Sequence, residues 1–137
     1  MTEYFSACQV LHGDLYEFKD AFLADTTQED IGKFFWVYLN HWLSSLWIVA
    51  HAFQHVLKLQ DRIINRLIDE NFQNLSAYRN VTYHYHRLPN KRIQARARFM
   101  ASGRLNWAEE LHSELERYFR EYLAHLAAFY PEDGQEE

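Results

Sequence analysis

Arg79, Asn80 and His84 stand close together in AYRNVTYHYHRLPN, residues 77 to 90, a stretch with two arginines, two histidines and three tyrosines but no carboxylate. Residues four apart share a helix face, so Asn80 and His84 lie one above the other, and the long Arg79 side chain can curl toward the same pole. A helix opening near Ser76 would put Arg79 and Asn80 in its first turn, where free N–H groups and the dipole favour an anion. A guanidinium fork and an amide would hold a phosphate there. Histidine adds a group that takes or gives a proton near neutrality. One histidine serves as acid or base at a given moment. Metal-free RNA cleavage is best served by two, one to deprotonate the 2′-hydroxyl and one to protonate the leaving 5′-oxygen. A symmetric dimer would supply His84 twice. The spacing therefore predicts a homodimer with Arg79, Asn80 and His84 as its catalytic set, and no cofactor. The bland alternative is a surface Arg, an Asn and a His-Tyr pair closing a helix before Pro89.

The charge pattern bears on the same stretch. Net charge is −5, yet residues 71 to 108 hold seven basic residues and no Asp or Glu, while the other 99 hold seven basic against nineteen acidic. A local positive face can attract a polyanion whatever the total, because fields are screened beyond roughly 8 Å at physiological salt. Arg87, Lys91, Arg92, Arg96 and Arg98 are the predicted RNA-binding residues. The competing expectation is that the first and last helices supply counter-charges on folding.

The elements that must position these residues read as helices. With four Gly and two Pro in 137 residues, the chain lacks the turn residues of a many-stranded sheet. Apolar positions at Tyr4, Cys8, Leu11, Leu15, Phe18 and Phe22 form one helical seam, and Cys8 on it is expected to be a buried small side chain. Thr26 with Glu29, or Thr27 with Asp30, resembles a capping box opening a second helix from about Thr27 to Lys58. That helix has no formal charge from Phe34 to Leu57, but Asn40, His41, Ser44, Ser45, His51, Gln54 and His55 interrupt it, so it reads as the centre of a bundle rather than a membrane span. A short third helix is expected over residues 61 to 70, a polar break at DENFQN, and a fourth helix that stops by Leu88, ahead of Pro89. Asn106 with Glu109 suggests a capping box for the last helix, which runs to Pro131. The prediction is an all-α, up-and-down bundle of four to five main helices, a single domain over residues 1–131, and a disordered acidic tail over 132–137.

The run Arg79-Asn80-Val81-Thr82-Tyr83-His84 resembles the signature of the HEPN superfamily, namely Arg, a polar residue often Asn, three variable residues and His. The rhythm YLNHWLSSLWIVAHAFQHV, a short helix, then LSAYRNVTYHYH is similar to bacterial HEPN-like proteins over about residues 30 to 125. The resemblance implies a small helical bundle, a homodimer with motif helices facing each other, and in active members a metal-independent endoribonuclease. Arg79 would then neutralise phosphate, Asn80 orient its neighbours and His84 move protons. It further implies a toxin or anti-phage role, with an antitoxin protein as partner. In members silenced by nucleotidyl modification a Tyr lies two positions after the His; His86 stands there in this chain, with Tyr85 the nearest candidate. Where similar proteins tend to have Glu in the second helix, this chain has His51, so Tyr85, His86 and His51 are accessory candidates. Members that have lost catalysis serve as RNA- or protein-binding modules, which is the alternative function.

Other chemistry is poorly provided for. His51 and His55 have the spacing of a two-histidine clamp, with His41 ten residues before His51, and His12, Asp14 and Glu17 could contribute from the first helix. Carboxylates are missing from that charge-free stretch of helix, and no metal is expected. The more probable role of His51 and His55 is hydrogen bonding near the bundle interior or at a dimer face. Trp36, Trp42, Trp47 and Trp107 could face a core or a partner equally well. Cys8 is the single cysteine and no signal-peptide pattern is evident, so a reducing cytoplasm is expected.

Overall fold

Helices take up the long stretches without glycine or proline, and side-chain and backbone bonds end them where the chain turns. The computed structural model describes residues 2–23, 28–83 and 89–129, with side chains described there except at 2, 4, 18–23, 28–34, 83, 89–93 and 95. The elements are α1 (Thr2–Leu23), α2 (Gln28–His51), a single π-helical turn (Ala52–Val56), α3 (Arg62–Tyr83), α4 (Pro89–Ala101) and α5 (Arg104–Phe129). The protein is all-α, and no strand occurs among the described residues. The capping boxes expected at Thr26 and Thr27 start outside the described residues.

α2 is the central helix. Leu39, Trp42, Leu43, Leu46, Val49 and Ala50 are all essentially inaccessible, so its neighbours cover most of its circumference. α1 lies along one side with Phe5, Cys8 and Leu15 turned inward, and α3 packs on another through Ile64, Leu67, Ile68, Leu75 and Tyr78. No described helix is long and apolar enough to cross a membrane. α5 seals the core with Trp107, Leu111, Leu115 and Phe119. The Trp107 indole N–H donates to the Leu67 carbonyl at 2.8 Å, so the ring is buried with its one donor satisfied.

The junctions show how sequence sets direction. After α2 the Leu57 N–H donates to the Ala52 carbonyl and the Leu59 N–H to that of Phe53, with Lys58 left-handed at φ 50°. Asp61 then caps α3, its Oδ1 accepting from the N–H groups of Ile63 (2.9 Å) and Ile64 (3.0 Å). Burial pushes the Asp61 carboxyl up, but the Arg117 guanidinium and these two N–H bonds outweigh it and hold it below the usual carboxylate range. Gly103, at φ 67°, links α4 to α5.

Two expectations are corrected. Residues 61 to 83 are not two helices separated by DENFQN. α3 is continuous, because Asp69, Glu70 and Gln73 sit on its exposed face while Ile68, Leu75 and Tyr78 continue the buried one, with no Gly or Pro to stop it. The Asn106–Glu109 capping box does not form either. α5 already begins at Arg104, and the Glu109 carboxylate is bound to His12 and Tyr16.

Two glycines test this account with opposite signs. Gly13 is exposed within α1 with open space where a Cβ would go, so Gly13→Ala should raise stability by about 0.5–1 kcal/mol. Gly103→Ala meets the same open space but a positive φ, and should lower stability by about 1 kcal/mol. Urea midpoints of the two variants against the parent check both signs.

Candidate functional site

Arg79 and Asn80 lie near the C-terminal end of the 22-residue α3. This overturns the expectation that they open a helix. Carbonyl groups and the negative end of the dipole prevail there, so backbone N–H groups lend an anion no support. Something else fixes the guanidinium. The Arg79 Cζ lies 4.2 Å from the centroid of the Trp47 ring, a cation–π contact that holds the guanidinium over the indole without neutralising it. Trp47 is itself held, since its indole N–H donates to Ser76 Oγ at 2.6 Å and its ring stacks on Phe72 (5.7 Å) and His51 (5.0 Å). Asn80, next in sequence, is exposed.

The accessory candidate His51 thus belongs to the same cluster as Arg79, through the indole between them. It is half-buried, and His55 follows at a ring separation of 5.1 Å with Phe72 against both. Ring packing accounts for their positions, and no group of three or more potential metal ligands occurs among the described residues.

A second arginine is treated alike. Arg96 of α4 lies 5.6 Å from the ring of Trp36, and its buried Nε has no hydrogen-bond partner. Trp36 and Trp47 are eleven residues apart, three turns or about 16 Å along one face of α2. Between them the Tyr78 hydroxyl donates to Asn40 Oδ1 at 2.6 Å, and the Tyr78 ring packs on Phe99 of α4 at 4.9 Å. α3 and α4 are therefore docked on α2 by the Trp47–Ser76 and Tyr78–Asn40 hydrogen bonds together with the two Arg–Trp contacts.

The counter-charge expectation fails for these residues. α5 spends its carboxylates elsewhere: Glu110 faces Arg66, Glu114 and Glu121 bind Arg117, and Glu116 binds Arg120. Among the described residues no carboxylate pairs with Arg79, Arg96, Arg98 or Arg104, and Arg104 donates instead to the Arg98 carbonyl at 3.0 Å. Arg98 is exposed on α4. Lys91 and Arg92 lie in the first turns of the same helix, their side chains outside the description, and His84, Tyr85, His86 and Arg87 lie outside the described residues altogether.

A second polar cluster was not anticipated. His12 Nε2 meets Glu109 Oε2 at 2.5 Å and the Tyr16 hydroxyl donates to Oε1 at 3.0 Å, so α1 and α5 are tied through one carboxylate. His12 does not join Asp14 and Glu17 as the metal alternative required. Burial pushes the Glu109 carboxyl up, but the bonds from His12 and Tyr16 carry it below the usual range. Burial pushes the Tyr16 hydroxyl up, and its bond to Glu109 and that carboxylate's charge add to the rise. His12 stacks on His112 at 4.3 Å, and His112 is fully enclosed, its Nδ1 accepting from the Trp42 indole at 3.2 Å with Cys8 Sγ at 3.6 Å. An indole N–H only donates, so Nδ1 carries no proton and His112 is the neutral Nε2–H tautomer. Burial, with the neighbouring His12, depresses its pKa to about 4. Cys8 is inaccessible as expected, and burial pushes its thiol up to about 12. Sequence spacing shows only that Glu109 and His112 share a turn; their partner on a helix some hundred residues earlier is a property of packing.

Family models, curated proteins and solved structures were all compared with this chain, and none matches.

The neutral His112 sets a pH dependence. Its folded pKa lies below the unfolded value near 6.5, so the unfolded chain binds the extra proton first and stability falls as pH drops from about 6.5 toward 4. The loss should reach roughly 2 kcal/mol by pH 5. In urea titrations between pH 7.5 and 5, His112→Leu should flatten this slope, whatever its absolute stability.

Proposed function

We propose that the chain is a metal-independent endoribonuclease of HEPN type whose active site is completed in a homodimer. The observation that carries this reading is Arg79, an arginine without a carboxylate partner among the described residues, held over the Trp47 ring beside the exposed Asn80. A guanidinium so fixed meets the two oxygens of a phosphate with less ordering cost than a free side chain. His84 follows four residues after Asn80 and supplies the proton carrier, one copy acting as base on the 2′-hydroxyl and the other as acid on the leaving 5′-oxygen. Arg96 and Arg98, with Arg87, Lys91 and Arg92, extend the cationic surface along the backbone of the RNA. Tyr85, His86 and His51 are accessory to this set. The resemblance adds a toxin or anti-phage role, with an antitoxin protein as partner.

One observation favours the alternative of a catalytically inactive RNA- or protein-binding module. The Arg79–Trp47 stack is complete without His84, so the phosphate-holding half of the site can act by itself.

Incubation with RNA in EDTA separates the two. Cleavage by the parent should fall about a hundredfold or more in His84→Ala and by a comparable factor in Arg79→Ala, while Arg98→Ala should weaken binding and reduce the salt slope by about one. A parent that binds RNA through Arg79 and never cuts it selects the module. Equal cutting by parent and His84→Ala removes the nuclease reading.

A further inference from the structure

Beside Arg79 a strip of four rings crosses from α2 to α3. Trp47 stacks on His51 with centroids 5.0 Å apart and planes at 18°, and on Phe72 at 5.7 Å and 17°. His51 and Phe72 lie 6.3 Å apart at 26°, so the three planes are nearly parallel. His55, carried on the π-helical turn, closes the far end at 5.1 Å from His51 and 5.7 Å from Phe72. None of the four is fully enclosed. Trp47, His51 and Phe72 are half-buried, and His55 is exposed. The strip therefore presents ring surface to solvent at one end and meets the Arg79 guanidinium, through Trp47, at the other.

Its polar atoms and charges identify the occupant. His51 and His55 make contacts with rings alone, and their nitrogens bond to no described residue. A neutral imidazole offers one donor and one acceptor, the groups that read the edge of a nucleobase. Arg79 has no carboxylate partner among the described residues and is free to take a phosphate. Phe72 and Arg79 are seven residues apart, about 10 Å along α3, which one extended nucleotide spans from phosphate to base. The outer end is bounded by Asp69, whose Oδ1 accepts from Gln54 Nε2 at 2.8 Å. That carboxylate lies about 4.5 Å along α3 from Phe72, inside the roughly 8 Å screening length. It opposes a second phosphate there. One phosphate and one base thus match the charge and ring pattern. Bases stack on Phe, Trp and His rings only where their faces are free, which a duplex does not allow.

We propose that His51, His55 and Phe72 form a nucleobase subsite, joined through Trp47 to the phosphate held by Arg79, and that its occupant is an unpaired base of a single RNA strand. The subsite rests on the reading of Arg79 as a phosphate holder. It holds whether or not the strand is cut, because binding a base asks no proton transfer of these rings.

Binding is read in EDTA on the full chain carrying His84→Ala, so that no cleavage intervenes. The probe is a single-stranded RNA oligonucleotide with one fluorescent purine, whose emission falls when the base stacks. Quenching is expected on binding. Adding His55→Ala, a change at an exposed position, should reduce the quenching and weaken binding about fivefold or more. Phe72→Leu, which keeps an apolar side chain, should do the same with helical circular dichroism unchanged. Inorganic polyphosphate, which has no base, should bind equally with and without either change. Affinities for the single strand that neither change alters, while Arg79→Ala still weakens it, overturn the subsite and leave the phosphate reading standing. Quenching that persists when the probe is paired with its complement, or displacement of the strand by AMP at equal nucleotide concentration, overturns the assignment to an unpaired base in a strand. A protein that binds neither the strand nor polyphosphate removes both readings.

Discussion

A helix with no formal charge over its last five turns has to be covered, and the arrangement of its neighbours follows from covering α2. Its buried positions are spread around its circumference, so no single partner suffices. α1 covers the side that carries Trp42, while α3 and α5 contribute the rest. Covering a tryptophan-rich helix brings a polar obligation, because each enclosed indole N–H needs an acceptor. Trp42 finds His112. Trp47 finds Ser76 of α3. These bonds fix where α5 and α3 sit along α2, which general apolar attraction would leave loose.

The same tryptophans decide the fate of the arginines. Two kinds of cation occur on this surface. Arg66, Arg117 and Arg120 are matched by carboxylates one turn away or on an adjacent helix, and such exposed pairs contribute little beyond solubility. Arg79 and Arg96 instead lie over the two indoles that α2 presents three turns apart. A stack immobilises a guanidinium without neutralising it. The carboxylates of α5 are thus matched locally, and Arg79, Arg96, Arg98 and Arg104 pair with no carboxylate among the described residues. An acidic protein can by this route carry an anion-binding face.

Much of this was legible in the sequence. The helical class, the central position of the second helix and the burial of Cys8 all follow from apolar spacing and from the scarcity of turn residues. Helix boundaries were not. DENFQN looks like a break because five of its six residues are polar, but a helix tolerates polar residues wherever its outer face is wet, and α3 runs through them. That one misplaced boundary moved Arg79 from the start of a helix to its end and replaced a dipole argument with a stacking one. The Arg79–Trp47 and Glu109–His12 contacts join residues 32 and 97 positions apart. No local pattern encodes such partners; they exist only once the helices have packed.

The antiparallel course of α3 and α5 finally separates two kinds of surface by the length of a helix. At the Tyr83 end lie Arg79, over the Trp47 ring, and the basic helix α4. At the Asp61 end Arg117 and Arg120 meet carboxylates, and beyond them α5 exposes Tyr122, Leu123 and Phe129. Arginines at the first end are ordered by aromatic rings that leave their charge in place, and at the second by carboxylates that neutralise it.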